Sequence, residues 1–160
     1  MMEVIFWFCA FCVFYIYIGY LLLMKLLSMC AQKADAKVGY EPAVTILIAA
    51  YNEENDIHAT IQNKIDLDYP KNKIEVIVVS DESEDSTDKI VESFSNAEVP
   101  VKLVRQQPRQ GKTAGLNLIV PHAQGEILLF SDANSIYQSD ALRHLVKNFT
   151  DPVVGYVTGK

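Results

Sequence analysis

The sequence predicts an α/β fold: a mainly parallel sheet with helices between its strands, preceded by one transmembrane helix. Three observations carry this. Apolar runs, largely β-branched and without polar alternation, recur at Val44 to Ala50, Ile74 to Val79 and Glu126 to Ser131, the pattern of strands covered on both faces. Helix-like stretches separate them, and alternating βα units imply a parallel sheet with right-handed crossovers. Ahead of all this, Val4 to Met24 contains no charged residue.

That apolar stretch would extend roughly 30 Å as a helix, enough for the hydrocarbon core of a bilayer. The competing reading is a cleaved signal peptide. Only Glu3 precedes the run, however, and the run exceeds an ordinary h-region. Leu27-Ser28-Met29-Cys30 faintly resembles a lipoprotein cleavage box, with a poorly fitting Met before the Cys. Positive charge flanks the run only on its C-terminal side, at Lys25, Lys33 and Lys37, which predicts a single-pass protein with its globular part in the cytoplasm. Cys9 and Cys12 lie in the apolar run and Cys30 just beyond it, so no disulfide framework or thiolate metal site is indicated. A net charge of −6 argues against a general nucleic-acid binder. The expected organisation is an anchor over 1–30, a linker over 31–43 and a globular domain over 44–160.

Within the globular part, strand Val44 to Ala50 leads to a helix near Glu53 to Asp66, with Ile57, Ile61 and Ile65 on one stripe. Tyr69-Pro70 ends it. Strand Ile74 to Val79 leads to a helix from about Ser86 to Phe94, with Asp85 or Ser86 as its cap. Strand Val101 to Arg105 precedes Gln-Gln-Pro-Arg-Gln and a helix near Lys112 to Val120. Strand Glu126 to Ser131 is followed by a helix from about Ser139 to Phe149 and by an apolar strand, Val153 to Val157.

Ligands of open α/β sheets bind outside the carboxyl ends of the strands, and three polar clusters fall there: Tyr51-Asn52-Glu53, the acidic run from Asp81, and Asp132-Ala133-Asn134. The acidic run admits three readings. Asp81, Ser83, Asp85, Thr87 and Glu92 have EF-hand spacing, but Ser86 replaces the turn glycine and a strand precedes the loop. A solvated loop with a helix cap accounts for Glu82, Glu84 and Asp88. Asp81, at the end of a buried strand, is available to bond a ligand's hydroxyl or ring N–H groups.

Gly111-Lys112-Thr113 invites a P-loop reading, with Asp132 on magnesium. The first glycine of that motif would be position 106, which is Gln106, and Pro108 lies inside the would-be phosphate cradle. What survives is Arg105, Arg109 and Lys112 near a helix start, either suited to phosphate or a solvated basic face. No G-x-G-x-x-G follows any strand, which argues against a dinucleotide-binding oxidoreductase. Residues two apart in extended chain point to one side, so the oxygens of Asp132 and Asn134 can face one hard divalent cation.

Val-Thr-Ile-Leu-Ile-Ala-Ala-Tyr-Asn-Glu-Glu (44–54), Val-Ile-Val-Val-Ser-Asp-Glu-Ser-Glu-Asp-Ser-Thr (76–87), Gly-Lys-Thr-Ala-Gly-Leu-Asn (111–117) and Phe-Ser-Asp-Ala-Asn (130–134) resemble, in order and spacing, the inverting family 2 glycosyltransferases of the GT-A fold. The resemblance covers roughly Val44 to Lys160, and the membrane anchor further resembles bacterial inner-membrane polysaccharide synthases. It implies a Rossmann-like GT-A half that transfers a sugar from a nucleotide-sugar donor, a UDP-sugar, to a glycan or lipid-linked acceptor, at the inner membrane.

The same resemblance puts Tyr51 against the nucleobase, Glu53 near the nucleoside and Asp81 on the base or ribose. Lys112 would contact the diphosphate, Asn117 would help shape that pocket, and Asp132 and Asn134 would hold Mg2+ or Mn2+. Asn134 departs from the commoner acid and supplies less charge. No residue is identified as the catalytic base: after Asn134 the carboxylates are Asp140 and Asp151, and neither is placed by a motif. The expectation is therefore a truncated, catalytically incomplete donor-binding part with an open sheet edge. The alternatives are a membrane-tethered nucleotide-binding module without turnover and a P-loop-like NTPase.

Overall fold

A computed structural model describes the backbone of residues 1–30 and 39–159, and side chains outside 29–38 and 160. The linker expected over 31–43 therefore lies largely outside the described residues. The chain divides into an N-terminal helical unit and a globular unit.

The described part of the first unit is helical from Met2 to Cys30. Helices α1 (Met2–Phe14) and α2 (Tyr20–Cys30) are joined by a π-helical turn, Tyr15–Gly19. Met2–Ser28 forms a span of 27 residues that is long and apolar enough to cross a membrane. Neither α1 nor the π turn buries a side chain, so the apolar surface faces outward all round, as a membrane span requires and a soluble helix avoids.

In the globular unit, four parallel strands stand in the order β3-β2-β1-β4: β1 (Val44–Ala50), β2 (Ile74–Ser80), β3 (Val101–Arg105) and β4 (Ile127–Asp132). The chain winds outward from β1 to β3, then crosses to the far side of β1. The topological switch point thus falls between β1 and β4.

Alternation along β1 and β2 supplies two cores. Ile46, Ile48, Val76 and Val78 face α3 (Ile57–Ile65), α4 (Thr87–Glu92) and α6 (Ala141–Val146). Leu47, Ile77 and Val79 face α5 (Lys112–Ile119). Fully burying each such side chain contributes about 1.5–3 kcal/mol, so these two strands dominate the stability of the sheet. Gly125 is required by close approach: a Cβ there would stand 2.4 Å from the Thr45 nitrogen.

Register brings the strand ends level, with Ala50 opposite Ser80, Ala49 opposite Asp132 and Ser80 opposite Arg105. Tyr51, Asp81, Gln106 and Asp132 accordingly lie along one edge. The helices are shorter than the sequence suggests: α5 and α6 tighten into 3-10 turns at Val120–His122 and Lys147–Thr150, while α3 starts only at Ile57 and α4 ends at Glu92. The strand expected at Val153 to Val157 is corrected: this stretch is irregular, with Val153 and Tyr156 exposed. Pro152 and Gly155 punctuate it, and apolar composition without a paired backbone does not make a strand.

Candidate active site

The loops after β1 and β2 are stitched together by side chains of the acidic run. The Asn52 N–H donates to Ser83 Oγ (3.2 Å), the Glu53 N–H to Thr87 Oγ1 (2.8 Å) and the Glu54 N–H to Asp85 Oδ2 (3.1 Å). In return Asn52 Oδ1 accepts from the Glu84 N–H (2.9 Å) and Glu54 Oε2 from the Ser86 N–H (3.0 Å). Asp85 Oδ1 also accepts from the Thr87 N–H at the start of α4 (2.9 Å), while the N-cap residue itself is Ser86, which makes no side-chain cap hydrogen bond. Ser83, Asp85 and Thr87 thus spend their oxygens on this joint, and the calcium-loop reading fails for want of free ligands.

Asp81 is a hub. Its own N–H donates to the Ala50 carbonyl (2.9 Å), and the residue is 6 % exposed. Oδ1 accepts from the Gln110 N–H (3.0 Å) and the Gln106 amide, Oδ2 accepts from the Gly111 N–H (2.9 Å), and the Arg109 Nε lies 3.6 Å away. Burial alone would raise the carboxyl pKa. The Gln110 N–H, the Gln106 amide, the Gly111 N–H and the Arg109 charge outweigh it and hold the group below the usual carboxylate range. The amides a P-loop would aim at phosphate are here turned onto a carboxylate. Gly111, at φ 88°, makes the reversal that starts α5.

The Arg109 guanidinium carbon also stands over the Tyr51 ring, 3.6 Å from its centroid, on the ring that the family resemblance puts against a nucleobase. Lys112, the first residue of α5, reaches across to Asp132 at the end of β4 and pairs with it. Residues 131–134 alternate buried, exposed, buried, exposed, so Asp132 and Asn134 both present oxygens outward. The extended pairing expected from the sequence is corrected: β4 ends at Asp132, and Ala133 and Asn134 lie in a turn in which the Ser135 N–H donates to the Asp132 carbonyl (3.3 Å). Asp132 and Asn134 remain exposed hard donors, which suit a divalent cation whose remaining ligands come from a diphosphate. Among the described residues no cluster of three or more His, Cys, Asp or Glu could hold a metal alone. The Glu53 carboxyl pKa is raised by burial first, then by the charges of Asp56, Asp85 and Asp132.

The structure therefore brings Tyr51, Asp81, Lys112 and Asp132 together through Arg109 and the loop Gln106–Gly111, with Glu53 close enough to Asp132 to feel its charge. Asn117 makes no side-chain hydrogen bond to these residues, although it shares a shallow depression with Gln106 and Gln110, which bond Asp81. It is exposed on α5, and Arg105 and Gln107 line the same depression. Sequence reasoning missed Gln106, which holds Asp81 from the end of β3. Nothing in the spacing singles out a glutamine after a strand, and only its burial does.

Doubly wound topology with polar groups converging at the switch point defines a GT-A-like α/β domain. The family model described as "Glycosyl transferase family 2" matches residues 45–160, and the chain belongs to that family. It is 37 % identical over 121 residues to the beta-monoglucosyldiacylglycerol synthase of Trichormus variabilis, covering 74 % of this chain and 26 % of that protein. It is 32 % identical over 129 residues to a poly-beta-1,6-N-acetyl-D-glucosamine synthase of Staphylococcus aureus, covering 80 % and 31 %.

Among solved structures it is similar to the mannosyltransferase PcManGT from Pyrobaculum calidifontis in complex with GDP-Man and Mn2+. The TM-score is 0.78 at 31 % identity, over 91 % of this chain and 44 % of that one. S. aureus TarS 1-349 in complex with UDP-GlcNAc aligns with a TM-score of 0.62 at 25 % identity, over 73 % and 37 %. The chain thus spans about a quarter of the length of the curated relatives it matches first.

Proposed function

We propose that this chain is the donor-binding part of a membrane-anchored inverting glycosyltransferase that takes a UDP-sugar and serves a glycan or lipid-linked acceptor. The observation that carries the reading is the convergence of Tyr51, Asp81, Lys112 and Asp132 on one edge of the sheet, at the switch point, in a family 2 chain. The relatives support the substrate class, since PcManGT is described with GDP-Man and Mn2+ and TarS with UDP-GlcNAc.

In this reading the Tyr51 ring offers a stacking face, and Asp81 accepts from ring N–H or ribose hydroxyl groups. Asp132 and Asn134 would hold the divalent cation, either Mg2+ or Mn2+. A cation held there would supply positive charge to stabilise a diphosphate leaving group. Lys112 adds a second positive charge at the same place. The present contacts of Arg109 with Tyr51 and of Lys112 with Asp132 fill these positions until a nucleotide displaces them. The long apolar helix supports attachment to the inner membrane, and the flanking lysines support a cytoplasmic domain.

Calorimetric titration of the full chain in detergent with UDP, GDP and ATP, each with Mn2+ and with EDTA, tests this. UDP binding that needs the divalent ion is expected. Equal UDP affinity in EDTA overturns the metal assignment, tighter GDP binding moves the donor to a GDP-sugar, and ATP binding with release of phosphate restores the NTPase alternative.

A further inference from the structure

Lys64 is among the largest fully buried side chains of the protein, at 0 % exposure, yet among the described residues its amine forms no ion pair. Burying an ammonium without a carboxylate is costly, and an apolar side chain of equal length would pack there without that cost. The position must therefore be explained by what the amine bonds. It donates to the Ser135 carbonyl and to Asn63 Oδ1 (3.1 Å), and it stands 3.6 Å over the Tyr137 ring.

Its neighbour Asn63 grips the same segment by both amide atoms: Nδ2 donates to the Tyr137 carbonyl (2.9 Å), and Oδ1 accepts from the Tyr137 N–H (2.8 Å). Two adjacent residues of α3 thus clamp residues 135–137, which directly follow Asp132-Ala133-Asn134. On the other side of that triplet, β4 is fixed by its ladder to β1, where Ala49 faces Asp132. Ala133 is buried between them. The triplet is tied down at both ends, while Asn134 itself is exposed.

We propose that Asn63 and Lys64 are positioning residues for the cation site, holding the backbone after Asn134 so that the Asp132 and Asn134 oxygens stay set for a divalent ion and diphosphate. This inference rests on the function proposed above. The amine acts through the Ser135 carbonyl and touches no ligand. Outer-sphere partners of this kind orient ligands and tune affinity without coordinating the metal.

Mn2+ binding to the full chain in detergent with saturating UDP, followed by electron paramagnetic resonance, tests the inference. Lys64→Met is expected to weaken Mn2+ binding by about tenfold, the scale of losing an outer-sphere partner, with UDP affinity in EDTA unchanged and the melting temperature equal or higher. Asn63→Ala is expected to act in the same direction. A folded variant that keeps the parent's Mn2+ affinity overturns the clamp, whereas a parent chain that binds no Mn2+ with UDP overturns the function reading and this inference with it. Should neither variant fold, hydrogen exchange of the parent decides. The Tyr137 amide is expected to be protected equally with and without Mn2+ and UDP, and protection gained only on adding them shows that the ligand, not the clamp, orders the segment.

Discussion

Two carboxylates end parallel strands of one sheet and live in opposite surroundings. Asp81, after β2, is 6 % exposed and carries hydrogen bonds from the Gln110 and Gly111 backbone and the Gln106 side chain. Asp132, ending β4, has a side chain 60 % exposed and pairs with Lys112, whose side chain is 58 % exposed. β2 lies between β1 and β3, so its end is walled by two neighbouring loops, whereas β4 neighbours only β1 among the described strands. Position in the sheet therefore sorts the two acids. The inner one is preorganised and its donors fix a loop, while the outer one is held only by an exposed ion pair that a cation can exchange.

Replacing the outer acid should change ligand behaviour most and stability least. Asp132→Ala is expected to abolish the divalent-ion dependence of nucleotide binding altogether, while changing stability by no more than about 0.5 kcal/mol, as for other exposed positions. Calorimetry with and without Mn2+, paired with thermal melting, checks both halves. Retained metal dependence would remove Asp132 from the cation site, and a large loss of stability would erase the contrast with Asp81.

The inner acid should move both quantities. Asp81→Asn keeps the size and removes the acceptor charge, and nucleotide affinity is expected to fall by about tenfold or more, since a charge-assisted bond contributes on the order of 1.5–3 kcal/mol. Donors facing Asp81 would also lose an acceptor, so stability is expected to fall by about 1–3 kcal/mol. Unchanged UDP binding would show that Asp81 serves the loop alone.

Acid should reproduce part of that loss. Because the folded-state pKa of Asp81 lies below its ordinary value of 3.8, its contribution is fully present above that value and is lost as pH falls through the depressed folded value. Asp85 and Glu75 are depressed as well, so Asp81→Asn is expected to shallow the acid limb of a melting-temperature profile without flattening it. An acid limb identical to the parent's would mean that Asp81 does not titrate in that window.

The same contrast marks what the sequence could reveal. The buried strands were legible because Ile46, Ile48, Val76 and Val78 stand in uninterrupted apolar runs, and the acids at strand ends were legible because those runs stop on them. Contacts between loops were not. Ser83, Asp85 and Thr87 read as calcium-spaced or solvated until the β1 loop is laid beside them. Nothing in the sequence singles out Lys64, and only the fold shows a segment from far along the chain closing over it. Val153 to Val157 erred the other way, since apolar composition signals a strand only where another backbone is there to pair.

Arg109 gives the smallest effect and the finest division between the two acids, because it touches the Asp81 side alone. Its guanidinium lies 3.6 Å from the Tyr51 centroid and 3.6 Å from Asp81 Oδ2, and its side chain is 55 % exposed. A partly exposed cation–π contact contributes about 0.5–1 kcal/mol, and a base that stacks on the same ring face must displace it. Uridine is the informative probe, since it lacks the phosphates that an arginine would otherwise attract. Arg109→Ala is expected to tighten uridine binding by about two- to fivefold, the factor equivalent to that contact, and to leave Mn2+ affinity at Asp132 unchanged. The expectation reverses if the guanidinium swings aside to form a second wall against the base. Weaker uridine binding in Arg109→Ala would therefore make Arg109 part of the nucleoside site and not a stand-in for its ligand.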